Sequence, residues 1–176
     1  MLEQTLVIRV ETESDYNQVF RLNVEAFGNR EDEARLVERI RSSETFIPEL
    51  SVVAVQDGAI VGHILLSEAE VADGNVRRKV IALAPIAVKP SMQKRGIGGA
   101  LIREGLRRSQ KLGYPLVLLI GHPSYYPKFG FRPARSFGLE LKQFEVQDEV
   151  FMAAELEPGA LGRIKGDLRY PSAFFG

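Results

Sequence analysis

The hydrophobic and polar positions in the first half of the chain form short segments typical of β-strands. Leu6, Ile8 and Val10 are apolar at every second position, and residues 51–56 and 59–71 are runs rich in β-branched residues. Asp57-Gly58 separates two of these segments and is typical of a tight hairpin turn. Asp73-Gly74 precedes a further segment in the same way. The pattern therefore predicts four strands, at residues 6–10, 51–56, 59–71 and 79–88.

The segment between the first two predicted strands has hydrophobic residues at helical spacing. Thr12 followed by Asp15 resembles a capping signal and predicts a helix that runs to about Phe27. A second predicted helix follows Asn29 and turns three apolar residues inward: Leu36, Val37 and Ile40.

The longest helical pattern of the chain follows Gly96. Its predicted inner face consists of small and apolar residues: Gly98, Leu101, Ile102, Gly105, Ser109 and Leu112. Its predicted outer face is basic: Arg103, Arg107 and Lys111. Gly113 ends the helix, and residues 116–120 predict a buried fifth strand. Strand four, this helix and strand five thus form a predicted β-α-β unit.

Pro85 interrupts the fourth predicted strand, because proline has no N–H to donate to a neighbouring strand. We expect a bulge or a local separation of strands there, and such a gap could receive a ligand. Residues 137–141 and 149–156 predict further strands, whereas the tail from Glu157 has too little periodicity for a prediction. The sequence favours a mixed α/β (α+β) domain over residues 1–156, with residues 157–176 as an extension packed on it.

Composition excludes several classes of function. The 176 residues are 45% hydrophobic, as in ordinary globular domains, and 23 basic residues balance 23 acidic ones. The net charge of zero gives no reason to expect nucleic acid or an anionic membrane as a partner. No segment resembles a secretion signal or a membrane span. We expect a soluble, cytoplasmic protein.

The inventory of reactive side chains is also restrictive. The chain has no cysteine, which excludes disulfides, thiolate metal sites and a cysteine acyl-enzyme. It has two histidines, His63 and His122, so we expect no metal site. We interpret His63, which lies inside the third predicted strand, as a hydrogen-bonded structural residue.

A basic, glycine-rich turn joins the fourth predicted strand to the long helix. Glycines at 96, 98 and 99 let the main chain approach a ligand, and the first N–H groups of a helix lack internal partners. Lys94 and Arg95 add positive charge, so the turn suits a pyrophosphate. A dinucleotide fingerprint would need a third glycine where Leu101 stands, and a nucleotide-triphosphate loop would need Lys and Ser or Thr after its last glycine.

Two motifs in this chain resemble those of the GNAT superfamily of N-acetyltransferases. The residues around Gly121-His122-Pro123 and the C-terminal extension resemble its YhbS-type branch. Gln93-Lys94-Arg95-Gly96-Ile97-Gly98 matches the acetyl-CoA motif Gln/Arg-x-x-Gly-x-Gly/Ala. Residues 125–131 match the downstream pattern of an aromatic residue, a tyrosine, three residues and Gly-Phe. The resemblance covers residues 6–156. It implies a mixed, mostly antiparallel sheet flanked by helices, with strands four and five splayed apart.

The resemblance further implies that acetyl-CoA is the cosubstrate and that its pantetheine arm lies between the splayed strands. The residues expected to bind it are Ile86, Ala87 and Val88 on strand four, and Gln93, Lys94, Arg95, Gly96, Ile97, Gly98 and Gly99 at the turn. Strand-four N–H groups would stabilise the oxyanion that forms as an amine attacks. With no cysteine available, direct transfer to a primary amine in a ternary complex is favoured over a thioester relay.

By the same resemblance, Tyr126 is the acid that protonates the departing CoA thiolate, with Tyr125 as the alternative. Relatives often carry a glutamate on strand four or five, but residues 81–88 and 116–120 contain none. His122, at the mouth of the expected gap, is the candidate base or substrate ligand, although it could equally cap a turn. The resemblance also suggests a homodimer.

Three alternatives to an acetyltransferase stay open at this point. One is a transferase that uses another short acyl-CoA. Another is a CoA-binding sensor or interaction protein that has lost turnover, which the missing carboxylates favour. The third is a dinucleotide oxidoreductase. The acceptor amine, whether a small molecule or a protein, is not identified by any motif.

Overall fold

The computed structural model describes residues 5–176, which form nine β-strands and four α-helices. The strands are β1 (Leu6–Val10), β2 (Ser51–Gln56), β3 (Ala59–Asp73), β4 (Val76–Val88), β5 (Leu116–Ile120), β6 (Arg132–Pro133), β7 (Leu139–Leu141), β8 (Phe151–Glu155) and β9 (Gly166–Arg169). The helices are α1 (Tyr16–Ala26), α2 (Asp32–Arg41), α3 (Ile97–Lys111) and α4 (Ala160–Arg163). None of these helices combines the length and apolar character needed to cross a bilayer.

All nine strands belong to one mixed sheet. Its main order is β1-β2-β3-β4-β5-β8-β6, while β9 pairs with both β3 and β7. The β4–β5 and β7–β9 pairs are parallel, and the other pairs are antiparallel. The expectation of a mostly antiparallel mixed sheet is therefore confirmed.

Helices cover both faces of the sheet and bury a core on each side. On one face α1 and α2 pack against the sheet through a cluster that includes Val19, Val37, Leu65 and Ala87. On the other face α3 buries its own apolar stripe in a larger cluster. Because β-strand side chains alternate between faces, neighbouring residues of β4 serve different cores: Ile86 and Val88 pack with the α3 cluster, and Ala87 packs with the α1 and α2 cluster.

The elements predicted in the first half of the chain are present. Asp57 and Gly58 have φ angles of 52° and 74°, as a tight hairpin with two left-handed residues requires. An Asp15 carboxylate oxygen accepts a hydrogen bond from the N–H of Thr12 at 2.7 Å just before α1. Strands β3 and β4 extend beyond the predicted limits and meet at the Gly74 turn.

The inner face of α3 differs from its prediction at one end. Leu112 was expected to be buried, but it is 43% exposed at the C-cap of α3. Gly98 borders both Val88 of β4 and a surface cleft.

The C-terminal third contains more structure than its sequence pattern indicates. The predicted strands at 137–141 and 149–156 are shorter, as β7 and β8, and β6 had no sequence signal. Beyond residue 157, α4 packs into the core and β9 pairs with β3 at Val71 and Leu168. The last segment of the chain thus completes the edge of β3 that β2 leaves uncovered.

Candidate active site

The two central parallel strands separate soon after they pair. Strands β4 and β5 share the register pairs Ile81–Val117 and Ala82–Leu118, and then β4 continues to Val88 without β5 beside it. The β3–β4 register also shifts here: Ile64 pairs with Ile86, whereas Leu66 pairs with Leu83. One extra β4 residue therefore forms a bulge at Pro85, as the sequence predicted. The result is a gap between β4 and β5.

Backbone hydrogen bonding shows which β4 residues face this gap. The N–H of Lys89 donates to the carbonyl of Val61 on β3 at 2.8 Å. Because these groups alternate along a strand, Ala87 also points its N–H and C=O towards β3, while Ile86 and Val88 point theirs into the gap. The Ala87 side chain is 2% exposed and packs beneath α1 and α2. Of the three residues expected to bind pantetheine, two thus present free backbone groups to the gap.

A cleft of about 640 Å³ runs from this gap to the start of α3. Its walls come from β4, from the turn before α3, from α3 itself and from the aromatic segment that follows β5. The lining residues are Ile86, Val88, Met92, Gln93, Lys94, Gly96, Ile97, Gly98, Gly99, Arg103, Tyr125, Lys128 and Phe129. The exposed Arg95 side chain lies outside this lining, as do those of Tyr126 and His122.

The turn before α3 leaves a row of backbone donors free. Lys94 and Gly96 have φ angles of 65° and 84°, which bend the chain sharply before Ile97. Within residues 5–176, no N–H from Lys94 to Gly99 donates to a protein acceptor, and the first helical bond runs from Ala100 N–H to Gly96. Free N–H groups at a helix start attract anions. A row of free backbone donors therefore lies where the sequence predicts an anion cradle.

Cationic side chains reinforce the cradle. The Arg103 guanidinium lies 5.1 Å from the centroid of the Phe129 ring, and the Lys128 ammonium lies 4.3 Å from that of Tyr125. With Lys94 they give the cleft three cations, and the described part of the chain contributes no carboxylate to its lining. Sequence reasoning placed Arg103 only on an outward helix face, because the aromatic segment that brings it to the cleft is distant in sequence.

Tyr125 and Tyr126 contact each other but occupy different positions. Their rings meet edge to face at 5.1 Å and 81°. The Tyr125 hydroxyl lies over Gly98 in the cleft: a Cβ built on Gly98 would be 3.0 Å from it. Tyr126 packs behind it against Gly121 and the buried Phe131.

The environment of Tyr126 keeps its hydroxyl protonated. Burial, aided by the neighbouring Tyr125, raises the pKa of Tyr126 to about 12. Burial also raises the pKa of Tyr125. Both phenols can therefore donate a proton at neutral pH.

His122 is exposed at the end of β5. Its carbonyl accepts hydrogen bonds from the N–H groups of Tyr125 and Tyr126 at 3.2 and 3.4 Å, so its backbone holds the turn. Its Nδ1 lies 3.3 Å from the Ser124 hydroxyl. Its Nε2 has no protein partner within residues 5–176.

His63 lies on the other face of the sheet, as part of a buried polar network. Its Nε2 is 3.0 Å from the Ser51 hydroxyl and 3.6 Å from a Glu11 carboxylate oxygen. Arg41 binds the same carboxylate through two hydrogen bonds, of 2.8 and 3.0 Å. The interpretation of His63 as a hydrogen-bonded structural residue is confirmed. No cluster of three acidic or histidine side chains within 5–176 is arranged to hold a metal ion.

Comparison with known proteins identifies the family of this chain. A family model described as an acetyltransferase (GNAT) domain matches residues 7–134. The chain belongs to the GNAT acetyltransferase family. The resemblance inferred from the two sequence motifs is therefore confirmed.

Two relatives from Escherichia coli strain K12 are similar to this GNAT chain in sequence. The uncharacterized N-acetyltransferase YjhQ is 38% identical over 120 residues, which cover 68% of this chain and 66% of YjhQ. The uncharacterized N-acetyltransferase YhbS is 28% identical over 170 residues, which cover 96% of this chain and 98% of YhbS.

Two solved structures extend the comparison to the whole fold. YhbS from E. coli in complex with CoA superposes with a TM-score of 0.90 at 27% identity, covering 100% of this chain and 96% of YhbS. A GNAT family acetyltransferase from Brucella melitensis in complex with acetyl-CoA gives a TM-score of 0.79 at 28% identity, covering 98% of this chain and 99% of the other. The predicted GNAT architecture and YhbS-type branch are confirmed.

Proposed function

We propose that this GNAT acetyltransferase uses acetyl-CoA to acetylate a primary amine by direct attack in a ternary complex. The observation that carries the proposal is the continuous cleft that joins the free edge of β4 to the unpaired N–H groups of Lys94–Gly99. One end suits an extended arm with amide groups, and the other suits a diphosphate. Coenzyme A combines both features in one molecule, and similar chains bind CoA and acetyl-CoA.

The coenzyme would bind mainly through backbone groups. Its pantetheine amides would pair with Ile86 and Val88 as an added strand in the gap beside β4. Its diphosphate would accept hydrogen bonds from the N–H groups of Lys94–Gly99, with Arg103 and Lys128 nearby. The acetyl group would then lie where β4 and β5 separate.

The reaction needs an oxyanion donor and two proton transfers. The amine nitrogen attacks the acetyl carbonyl carbon, and a β4 N–H facing the gap stabilises the oxyanion of the tetrahedral intermediate. Collapse of this intermediate breaks the C–S bond. The CoA thiolate takes a proton from the Tyr126 hydroxyl, while the amine gives up a proton to His122, directly or through water. Tyr125, whose hydroxyl lies in the cleft, is the second candidate for the acid.

A CoA-binding protein without turnover is the second candidate function. It is favoured by the lack of any Asp or Glu in residues 81–88 and 116–120, which flank the gap. In that case the cradle would bind the coenzyme and no amine would be acetylated.

A screen of primary amines with acetyl-CoA, read out as free thiol released, separates the two candidates. Calorimetric titration of acetyl-CoA supplies the affinity independently of turnover. We expect Tyr126→Phe to reduce kcat by roughly 10²-fold, as loss of a general acid does, with acetyl-CoA affinity unchanged. Binding without thiol release across the panel would favour the sensor, and faster release with a longer acyl-CoA would change the donor assignment.

A further inference from the structure

Gly121 directly follows β5, and the Tyr126 ring lies against its α-carbon. A Cβ built on Gly121 would lie 2.8 Å from Cδ2 of Tyr126, which is closer than real Cβ atoms approach a neighbour. It would lie 3.0 Å from Cδ1 of Leu119, which is at that limit. Gly121 does not have a left-handed φ angle, so its backbone conformation alone does not require glycine. The need for glycine here is steric and comes from the tyrosine ring.

Neither partner can easily move to make room for a larger residue. The N–H of Gly121 donates to the carbonyl of Val150 at 2.9 Å, which ties it to the segment that precedes β8. On its other sides the Tyr126 ring meets Phe131 at 5.8 Å and Tyr125 at 5.1 Å, both edge to face. Phe131 is 1% exposed, so the ring cannot retreat into the core.

A short connection fixes the ring over the end of the strand. The His122 carbonyl accepts the N–H groups of both tyrosines, so the chain turns back onto β5 within five residues. Tyr126 also packs against the same core cluster as Ile86 and Val88, the residues whose backbone faces the gap. A displacement of the ring at Gly121 would therefore move its hydroxyl relative to the gap.

We propose that Gly121 is a positioning residue that sets where the Tyr126 hydroxyl lies during acetyl transfer. This inference rests on the proposed function, in which Tyr126 protonates the leaving thiolate. Gly121 itself touches neither coenzyme nor amine. Because Gly121 has no side chain, it leaves room for the Tyr126 ring.

The test compares Gly121→Ala, Tyr126→Phe and the double variant by steady-state kinetics with the best amine of the screen. We expect Gly121→Ala to lower kcat by roughly 10- to 100-fold, as misplacement of a catalytic group does, with the KM for acetyl-CoA within about twofold. In the Tyr126→Phe background the same substitution should change kcat by less than about twofold, because its effect passes through the hydroxyl.

Gly105→Ala is the matched control. A Cβ at Gly105 would lie 2.6 Å from Cδ1 of Leu66, a comparable clash, but between α3 and β3 and away from the tyrosines. We expect this variant to lower the melting temperature with kcat unchanged. A kcat loss as large as that of Gly121→Ala would overturn the inference, because it would show a general response to core strain.

The remaining outcomes are distinct. A loss of kcat from Gly121→Ala that is equal in both backgrounds, or no loss at all, overturns the inference and leaves the proposed function standing. Full activity of Tyr126→Phe overturns the acid assignment, and this inference with it. If Gly121→Ala folds poorly, melting curves replace kinetics: its destabilisation should disappear in a Tyr126→Ala background, and persistence there would contradict the proposal.

Discussion

The side-chain amide of Gln93 donates a hydrogen bond to the backbone carbonyl of Val88 at 3.2 Å, and so joins the turn before α3 to the strand that leaves β5. This carbonyl is one of the groups that β4 directs into the gap. Gln93 therefore satisfies one acceptor on the free edge and leaves the Val88 N–H and the groups of Ile86 for a ligand. The same bond connects the turn before α3 to the strand edge that faces the gap.

Gln93→Ala should weaken acetyl-CoA binding. The substitution removes the hydrogen bond that joins the two halves of the cleft, and a typical hydrogen bond contributes about 1 kcal/mol, or roughly fivefold in affinity. The measurement is a calorimetric titration of acetyl-CoA. Since no reacting group changes, kcat at saturating coenzyme should stay close to that of the wild type.

Gln110→Ala provides the matched control for this prediction. Its Nε2 donates to the Leu156 carbonyl at 2.7 Å, the same pair of groups at the far end of α3. It should lower the free energy of unfolding and leave acetyl-CoA affinity unchanged. Equal affinities of the Gln93 variant and the wild type would show that the cradle does not need this link.

Gly96→Ala should strain the turn that precedes α3. Gly96 has a φ of 84°, and a Cβ there would meet nothing within 4 Å, so the cost is purely conformational. We expect a loss of about 1–2 kcal/mol in the free energy of unfolding, the cost of a left-handed residue with a side chain. Acetyl-CoA affinity should also fall as the N–H groups of Lys94–Gly99 shift. Urea unfolding and calorimetry measure the two effects.

Gly162→Ala tests whether these effects arise from the left-handed turn. A Cβ at Gly162 also meets open space, but its backbone is not left-handed, so alanine should be tolerated. A Gly96 variant as stable as the Gly162 variant would contradict the assigned strain. Unchanged coenzyme affinity would argue that the turn does not bind the diphosphate.

The sequence predicted the elements around the site better than the directions of their groups. The glycines at 96 and 98 and the proline at 85 located the cradle and the gap, because turns and bulges have specific residue requirements. The sequence did not show that Ile86 directs its backbone groups into the gap and that Ala87 directs its own towards β3. That distinction depends on the register set by the bulge and by the Lys89–Val61 hydrogen bond.

Features that depend on distant contacts had no sequence signal. Strand β9 is four residues long and carries Asp167 and Arg169, so its alternation is too short to distinguish from a loop. The need for glycine at position 121 had no sequence signal, because the ring that requires it comes from a later segment. A glycine with an ordinary φ angle can indicate steric contact, but sequence alone does not give that angle.

The buried ion pair between Glu11 and Arg41 should be important for stability. Arg41 binds the carboxylate through two hydrogen bonds. The Glu11 side chain is 3% exposed and the Arg41 side chain is 10% exposed. Arg41→Met would leave the Glu11 charge buried without its cationic partner, which costs about 3–5 kcal/mol. Urea unfolding at neutral pH measures the loss.

Arg107→Met is the control for this ion pair. Arg107 is an exposed α3 residue that pairs with Glu104, and exposed pairs contribute little, so its unfolding curve should scarcely change. Adding Glu11→Leu to Arg41→Met should recover stability, because the unpaired buried charge is then removed. A mild effect of Arg41→Met alone would contradict the importance of the pair.

The same network predicts a loss of stability in acid. Burial alone would raise the pKa of Glu11, but the nearby His63 imidazole and the two hydrogen bonds from Arg41 outweigh it and lower the pKa from 4.5 to about 2. Burial also holds the pKa of His63 below its ordinary 6.5. Both groups bind protons more readily in the unfolded chain, so stability should fall as pH decreases below 6.5, and more steeply from 4.5 towards 2.

Unfolding free energies of the wild type and of the Glu11→Leu/Arg41→Met variant, measured from neutral pH downwards, test this dependence. The variant should lose less stability as the pH falls from 4.5 towards 2, because it no longer has a Glu11 carboxylate with a lowered pKa. Parallel curves would assign the acid sensitivity to other carboxylates, such as Asp15, whose hydrogen bond to Arg9 also lowers its pKa to about 2.

The protonation of Tyr126 gives a prediction for the alkaline side. Since burial raises its pKa to about 12, the hydroxyl keeps its proton throughout the range in which most enzymes are assayed. The ratio of wild-type kcat to that of Tyr126→Phe should therefore be constant between about pH 7 and 10, a range in which an ordinary phenol begins to ionise. Loss of the acid would make this ratio fall towards one. A ratio that declines before pH 10 would show that the Tyr126 hydroxyl ionises too early for its packing against Gly121 and Phe131 to be present in solution. A similar decline in the ratio of wild-type kcat to that of Tyr125→Phe would transfer the acid role to Tyr125.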